Sequence, residues 1–189
     1  MDNIEISSSV RSATALDRRS VYVKAGKLEP DDSAVYAMTD FRRENPISVP
    51  PTRSIEAALS DMNRLGIHAL LVTQPQGADN REQLLGLVTA YRIAQRRLAE
   101  RRLPQHLVRG CAGACVGEIM TPWDELALVN YRSLQYLNVS EVYQMFQGSG
   151  LTHVVVVETH DDDSVLARGL ISREALASRL RESNCVDAD

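Results

Sequence analysis

Two short stretches of the chain carry the residue types that bind anionic ligands. GLVTAYRI (86–93) and GLISREAL (169–176) each read glycine, an apolar pair, a hydroxyl, then the start of a helical pattern. A hydroxyl at such a strand-to-helix corner, Thr89 or Ser172, can accept from the free backbone N–H groups of the first helical turn. Those amides also favour an anion such as phosphate. His68 in GIHALLV and His153 in LTHVVVV precede apolar runs upstream of the two corners and can donate to a phosphate, and Arg92 can join them. Each feature also has a plainer reading. The hydroxyls cap helices, and the histidines are polar residues at half-exposed strand starts.

Other groups of chemistry-bearing residues point to less. Residues 91–110 carry Arg92, Arg96, Arg97, Arg101, Arg102 and Arg109, but Tyr91 is the only interleaved aromatic. A solvated linking helix is the reading for that stretch, with Glu100 four positions from Arg96, and nucleic acid is not an expected partner. Cys111 and Cys115 form CAGAC, which is neither CxxC nor a paired zinc signature. Three adjacent aspartates in THDDD (159–163) fit no EF-hand spacing and read as a hairpin tip. No GxSxG, HExxH or P-loop occurs, so no catalytic or metal residues are assigned and an enzyme is not expected.

Composition agrees with a soluble globular chain. The 189 residues are 44% hydrophobic and 24% charged, with a formal net charge of −4 that does not favour general nucleic-acid binding. No apolar run approaches the ~20 residues of a membrane-spanning helix, so no membrane partner is expected. The first twenty residues lack a continuous apolar region, and three cysteines are an odd, low count. Together these suggest a reducing cytoplasm with free thiols.

The elements that position the two corners form an internal repeat. YAMTD (36–40) matches EIMTP (118–122), and PISV (46–49) faces LALV (126–129) as a short strand. Helical spacing follows in both copies: Ile55, Ala58, Leu59, Met62 and Leu65, then Val139, Val142, Tyr143 and Phe146. Ser54 and Asn138 are N-cap types, Glu141 completes a capping box, and Gly66 and Gly150 stand at the helix ends. Strands are expected at 67–72 and 84–88, and again at 151–157 and 167–171, joined by polar hairpin loops. The unit strand–helix–strand–strand–helix thus occurs twice. Before the first helix, the first copy has PPTR (50–53) and the second has NYRSLQYL (130–137), four residues longer. The expected division is an N-terminal arm over 1–34, with a short element near 21–23. A first repeat with its linker helix covers 35–105, a second repeat 106–182, and a tail 183–189.

This order of elements, with Met-Thr at the start and Gly-Leu-[Val/Ile]-[Thr/Ser] at the end, resembles the CBS domain over roughly residues 35–180. Two copies in series resemble a CBS pair, or Bateman module. The resemblance implies an α/β fold of two βαββα repeats packed with pseudo-two-fold symmetry. It also implies a cleft between copies that binds AMP, ADP, ATP or S-adenosylmethionine, with no cofactor required. A homodimer acting as a regulatory module on an unknown protein partner is implied as well.

Carried onto this chain, the resemblance gives Thr39, His68, Thr89 and Arg92 in the first copy as candidate ligand contacts. In the second copy it gives Thr121, His153, Ser172 and Arg173. The family pattern T/S-x-x-D places an acid three residues after the hydroxyl to hold ribose. Here Arg92 and Ala175 stand at those positions, and neither accepts a hydrogen bond from ribose. Glu174 is about 100° around the helix from Ala175. Two functions follow: a ligand-sensing module, or a protein-interaction module whose ligand clefts have degenerated.

Overall fold

A computed structural model describes residues 26–76, 81–101, 114–160 and 165–181, and the backbone at 13–14. In chain order the elements are β1 (Ala13–Thr14), a 3₁₀ turn (Ala34–Ala37), β2 (Thr39–Asp40), β3 (Ser48–Val49), α1 (Ile55–Leu65), β4 (Ala69–Gln76), β5 (Arg81–Thr89) and α2 (Ala90–Arg101). Then follow α3 (Val116–Ile119), β6 (Thr121–Pro122), a second 3₁₀ turn (Trp123–Glu125), β7 (Leu128–Asn130), α4 (Tyr131–Leu134), α5 (Val139–Ser149), β8 (His153–Thr159), β9 (Val165–Ser172) and α6 (Arg173–Arg181). The α/β repeat read from the sequence is present twice. The element expected near 21–23 lies outside the described residues, as do Cys111, Cys185 and most of THDDD.

The chain forms two compact units. The first is Pro46–Leu126; the second combines the residues up to Asn45 with those from Ala127. In the first unit the strand order is β3-β4-β5-β6, with β3 parallel to β4 and the rest antiparallel. In the second, β7 is parallel to β8, β8 antiparallel to β9, and β2 antiparallel to β9; β1 adds beside β9 in parallel. The short strand that opens each repeat therefore completes the sheet of the other: β2 pairs with β9, and β6 pairs with β5. Repeat in sequence and unit in space are offset by one strand.

Both copies show the same local causes. Ser54 Oγ accepts from the Ala57 N–H at 3.3 Å, and Asn138 and Glu141 exchange two 2.8 Å bonds in a capping box. Gly66 (φ 65°) and Gly150 (φ 67°) end α1 and α5 in the left-handed region, which glycine enters without a Cβ penalty. The apolar face of α1 (Ile55, Ala58, Met62) packs on Leu70, Val72, Val88 and Ile93. That of α5 (Val139, Val142, Phe146) packs on Val154, Val156, Ile171 and Leu176. At ~25 cal/mol per Å², burying such side chains is the main stabilising term in each unit.

The segment before each opening strand is also built in the same way. Val116 and Ala34, both fully buried, donate to the Arg53 and Leu137 carbonyls at 2.8 and 2.9 Å. In return the Ile55 and Val139 amides donate to Ala114 and Asp32. Residues 26–34, assigned to an arm by sequence, thus belong to the second unit. Leu28 is 2% exposed, and Arg179 donates to the carbonyls of Gly26 (2.9 Å) and Tyr36 (2.6 Å).

The strands run further than the apolar pattern indicates. β4 continues to Gln76, and β5 begins at Arg81, because the polar residues there pair across the hairpin, as Gln74 does with Gln83. Each hairpin has a bulge at the same place, after Val72 and after Val156, with Leu85 and Arg168 as the extra residues. The four-residue insertion folds as α4, capped by Asn130 and anchored by fully buried Leu134.

Candidate functional site

Each strand-to-helix corner has the geometry of a capped helix start. In the first unit β5 ends at Thr89 opposite Ala69, and the Ala90 N–H donates to the His68 carbonyl at 2.9 Å. Thr89 Oγ1 accepts from the Arg92 N–H at 3.2 Å, and Thr89 is 5% exposed. In the second unit β9 ends at Ser172 opposite His153, and the Arg173 N–H donates to the Thr152 carbonyl at 3.0 Å. Ser172 Oγ accepts from the Ala175 N–H at 3.4 Å. Both hydroxyls cap, as their residue types require.

Those two carbonyl contacts make His68 the counterpart of Thr152, not of His153. The histidines stand one register position apart. His68 is exposed just before β4, whereas His153 is half-buried on β8 with Nδ1 3.0 Å from Thr152 Oγ1. The corners therefore differ in what they present.

The threonines of the two Met-Thr pairs change places relative to their order in the chain. Half-buried Thr121 pairs with Leu87 on β5, in the unit that holds Thr89, while exposed Thr39 pairs with Leu170 on β9, in the unit that holds Ser172. The structure thus groups His68, Thr89, Arg92 and Thr121 in the first unit, and Thr39, His153, Ser172 and Arg173 in the second. Two glycines permit these crossings. A Cβ on Gly86 would collide with the Thr121 carbonyl, and one on Gly169 with Met38 and the Thr39 carbonyl. The glycine that opens each corner motif and the Met-Thr of the other copy are two halves of one contact.

Charge also separates the corners. Arg92 and Arg173 are exposed, and neither forms a side-chain ion pair among the described residues. The first turn of α2 holds no acid, whereas that of α6 holds Glu174. A helix N-terminus attracts negative charge, so the Thr89 corner, with exposed His68 and Arg92, suits an anion better. Arg173 and Glu174 instead border an open groove with Tyr143, Gln147 and Ala177. No group of three metal-ligating side chains occurs among the described residues, and no described helix is long and apolar enough to cross a membrane.

Sequence reasoning missed one charged cluster. Arg168, at the second bulge, is 8% exposed and ion-paired with Asp40; its guanidinium lies 4.9 Å over the Tyr131 ring, and Glu158 stands 3.8 Å from Nε. The signal was an arginine inside the apolar strand ARGLI.

Comparison with known proteins agrees with this fold. Residues 36–99 match the CBS domain family. No curated protein matches the chain. Among solved structures, CBSX2 in complex with AMP is similar at 20% identity and a TM-score of 0.52, covering 81% of this chain and 98% of that one. An uncharacterized conserved protein from Pyrococcus horikoshii is similar at 18% identity and 0.53, covering 86% and 98%. A CBS-domain containing protein from Agrobacterium tumefaciens is similar at 17% and 0.51, covering 84% and 98%. The CBS domain family is thus matched in sequence over the first copy, and the fold of the chain is shared with structures of CBS-domain proteins.

Proposed function

We propose that the protein is a non-enzymatic regulatory module that senses an adenosine-type nucleotide. The observation that carries this reading is the Thr89 corner. A capped helix start without acids stands beside exposed His68 and Arg92, on a fold that CBSX2 presents in complex with AMP. With Arg92 in place of an acid, the phosphate end of the ligand is the part this corner holds, through charge-assisted hydrogen bonds. AMP, ADP and ATP are therefore preferred over S-adenosylmethionine, which has no phosphate. Sensing requires that the ligand bind two shapes of the protein with different affinity. A thermal-shift series with AMP, ADP, ATP, S-adenosylmethionine and adenosine tests this. The phosphorylated ligands raise the unfolding midpoint more than adenosine does, because a ligand specific to the folded state stabilises it in proportion to its affinity.

The second reading is a protein-interaction module. The absence of an acid at both Arg92 and Ala175 favours it. Losing a hydrogen bond to a charged group weakens binding by roughly 10- to 150-fold, at about 1.5–3 kcal/mol. Under this reading none of the five compounds changes the midpoint. In either case the resemblance carries an expectation of a homodimer acting on a protein partner in the cytoplasm, and light scattering of the purified chain tests the dimer.

A further inference from the structure

The fold requires a choice that its repeat leaves open. Two nearly identical opening strands, MTD (38–40) and MTP (120–122), must each add to the sheet of the other copy, and both sheets offer the same edge beside a glycine. Asp40 faces Gly169 in the register in which Pro122 faces Gly86. Backbone pairing and the Met-Thr pairs do not distinguish right from wrong.

The side chains around Arg168 do. Arg168 Nη1 donates to Asp40 Oδ1, with side chains 9% and 13% exposed. Two residues further, Arg42 pairs with Glu158 at 2.7 Å. The strand that belongs on β9 thus brings an acid and then a base, and meets a base and an acid. At the corresponding places in the first unit stand Pro122 and Asp124 on the incoming segment, and Leu85 and Gln74 on the sheet. With the strands exchanged, Asp40 would face Leu85 without a partner, Arg168 would face Pro122, and Asp124 would approach Glu158 as a like charge. An uncompensated buried charge costs several kcal/mol.

The first unit also shows that the architecture stands without such a pair, since Leu85 and Pro122 occupy the same junction. The ion pair itself is imperfect: Arg168 Nε is buried and has no hydrogen-bond partner. Replacing a buried ion pair by apolar residues is often neutral or stabilising, so stability does not account for this cluster. We propose that Asp40–Arg168, seconded by Arg42–Glu158, is a pairing code that directs each opening strand to its proper sheet and excludes the exchanged arrangement.

Disulfide trapping in the full chain, with Cys111, Cys115 and Cys185 replaced by serine, tests this. Thr39 and Leu170 are direct partners across β2 and β9, so T39C/L170C forms a disulfide; cross-strand partners lie within bonding range. T39C/L87C reports the exchanged pairing and stays reduced. Adding D40L/R168L leaves the protein folded and raises the T39C/L87C disulfide at least tenfold. Adding D40R alone abolishes the T39C/L170C bond, and D40R/R168D restores it. The proposal is overturned if D40L/R168L still traps only T39C/L170C. Failure of D40L/R168L to fold also overturns it, because the pair would then be a plain stability element, as does failure of D40R/R168D to regain what D40R loses.

Discussion

The carbonyl of Thr121 lies where a side chain on Gly86 would be, so β6 can cross β5 only because residue 86 has none. Gly169 stands in the same relation to Met38 and Thr39. Any Cβ meets backbone at both sites and must move a strand. We expect G86A and G169A each to destabilise the fold by ~1–3 kcal/mol, in the range of overpacked cores. Urea unfolding followed by the fluorescence of Trp123, the single tryptophan, measures the first directly; circular dichroism covers both. Wild-type stability in either variant would contradict the crossing.

Helix capping predicts smaller effects. N138A removes the Asn138 Oδ1 that accepts from the Glu141 N–H at 2.8 Å, one half of a reciprocal pair, and S54A removes a single 3.3 Å bond. Losses of about 1 kcal/mol are expected, with N138A the larger. Equal midpoints for both variants and wild type would count against the observed caps.

Acid lowers stability through Asp61. A hydrogen bond from Arg53 holds its carboxyl below the ordinary value of 3.8; partial burial opposes this, while the Arg53 charge and Arg64 add to the lowering. The bond from Arg53 is 2.6 Å. A depressed folded-state pKa means the contribution is present above the unfolded value and disappears as pH falls through the folded one. D61N should therefore lose stability relative to wild type at neutral pH and converge with it in strong acid. Parallel curves at all pH values would refute the linkage.

At the Thr89 corner, R92A should weaken AMP about tenfold, or ~1.4 kcal/mol, while adenosine, lacking phosphate, is unaffected. R92D restores the acid that the family pattern places there and should reverse the preference toward adenosine. Calorimetry with both compounds separates these outcomes, and equal losses for the two would place Arg92 away from the phosphate.

Local features of the fold could be read from the chain because they depend on near neighbours. Ser54, Asn138, Gly66 and Gly150 mark helix ends by residue type, and the 3.6-residue spacing of α1 and α5 identifies their buried faces. The crosswise pairing could not be read, since Met38-Thr39 and Met120-Thr121 are alike and Asp40, which differs from Pro122, meets its partner Arg168 only 128 positions away. His68 and His153 align by letter in GIH and LTH, yet the Ala90 and Arg173 hydrogen bonds to His68 and Thr152 set them one position apart. Arg168 was hidden because strand periodicity does not reveal a bulge, and the bulge turns it toward Asp40 and Tyr131.

The claim of nucleotide sensing rests most directly on calorimetric titration of AMP into the wild-type chain. Saturable binding tighter than ~1 mM, or about −4.1 kcal/mol, is expected, reduced by R92A. No heat and no rise in unfolding midpoint with AMP in excess of that concentration would contradict it.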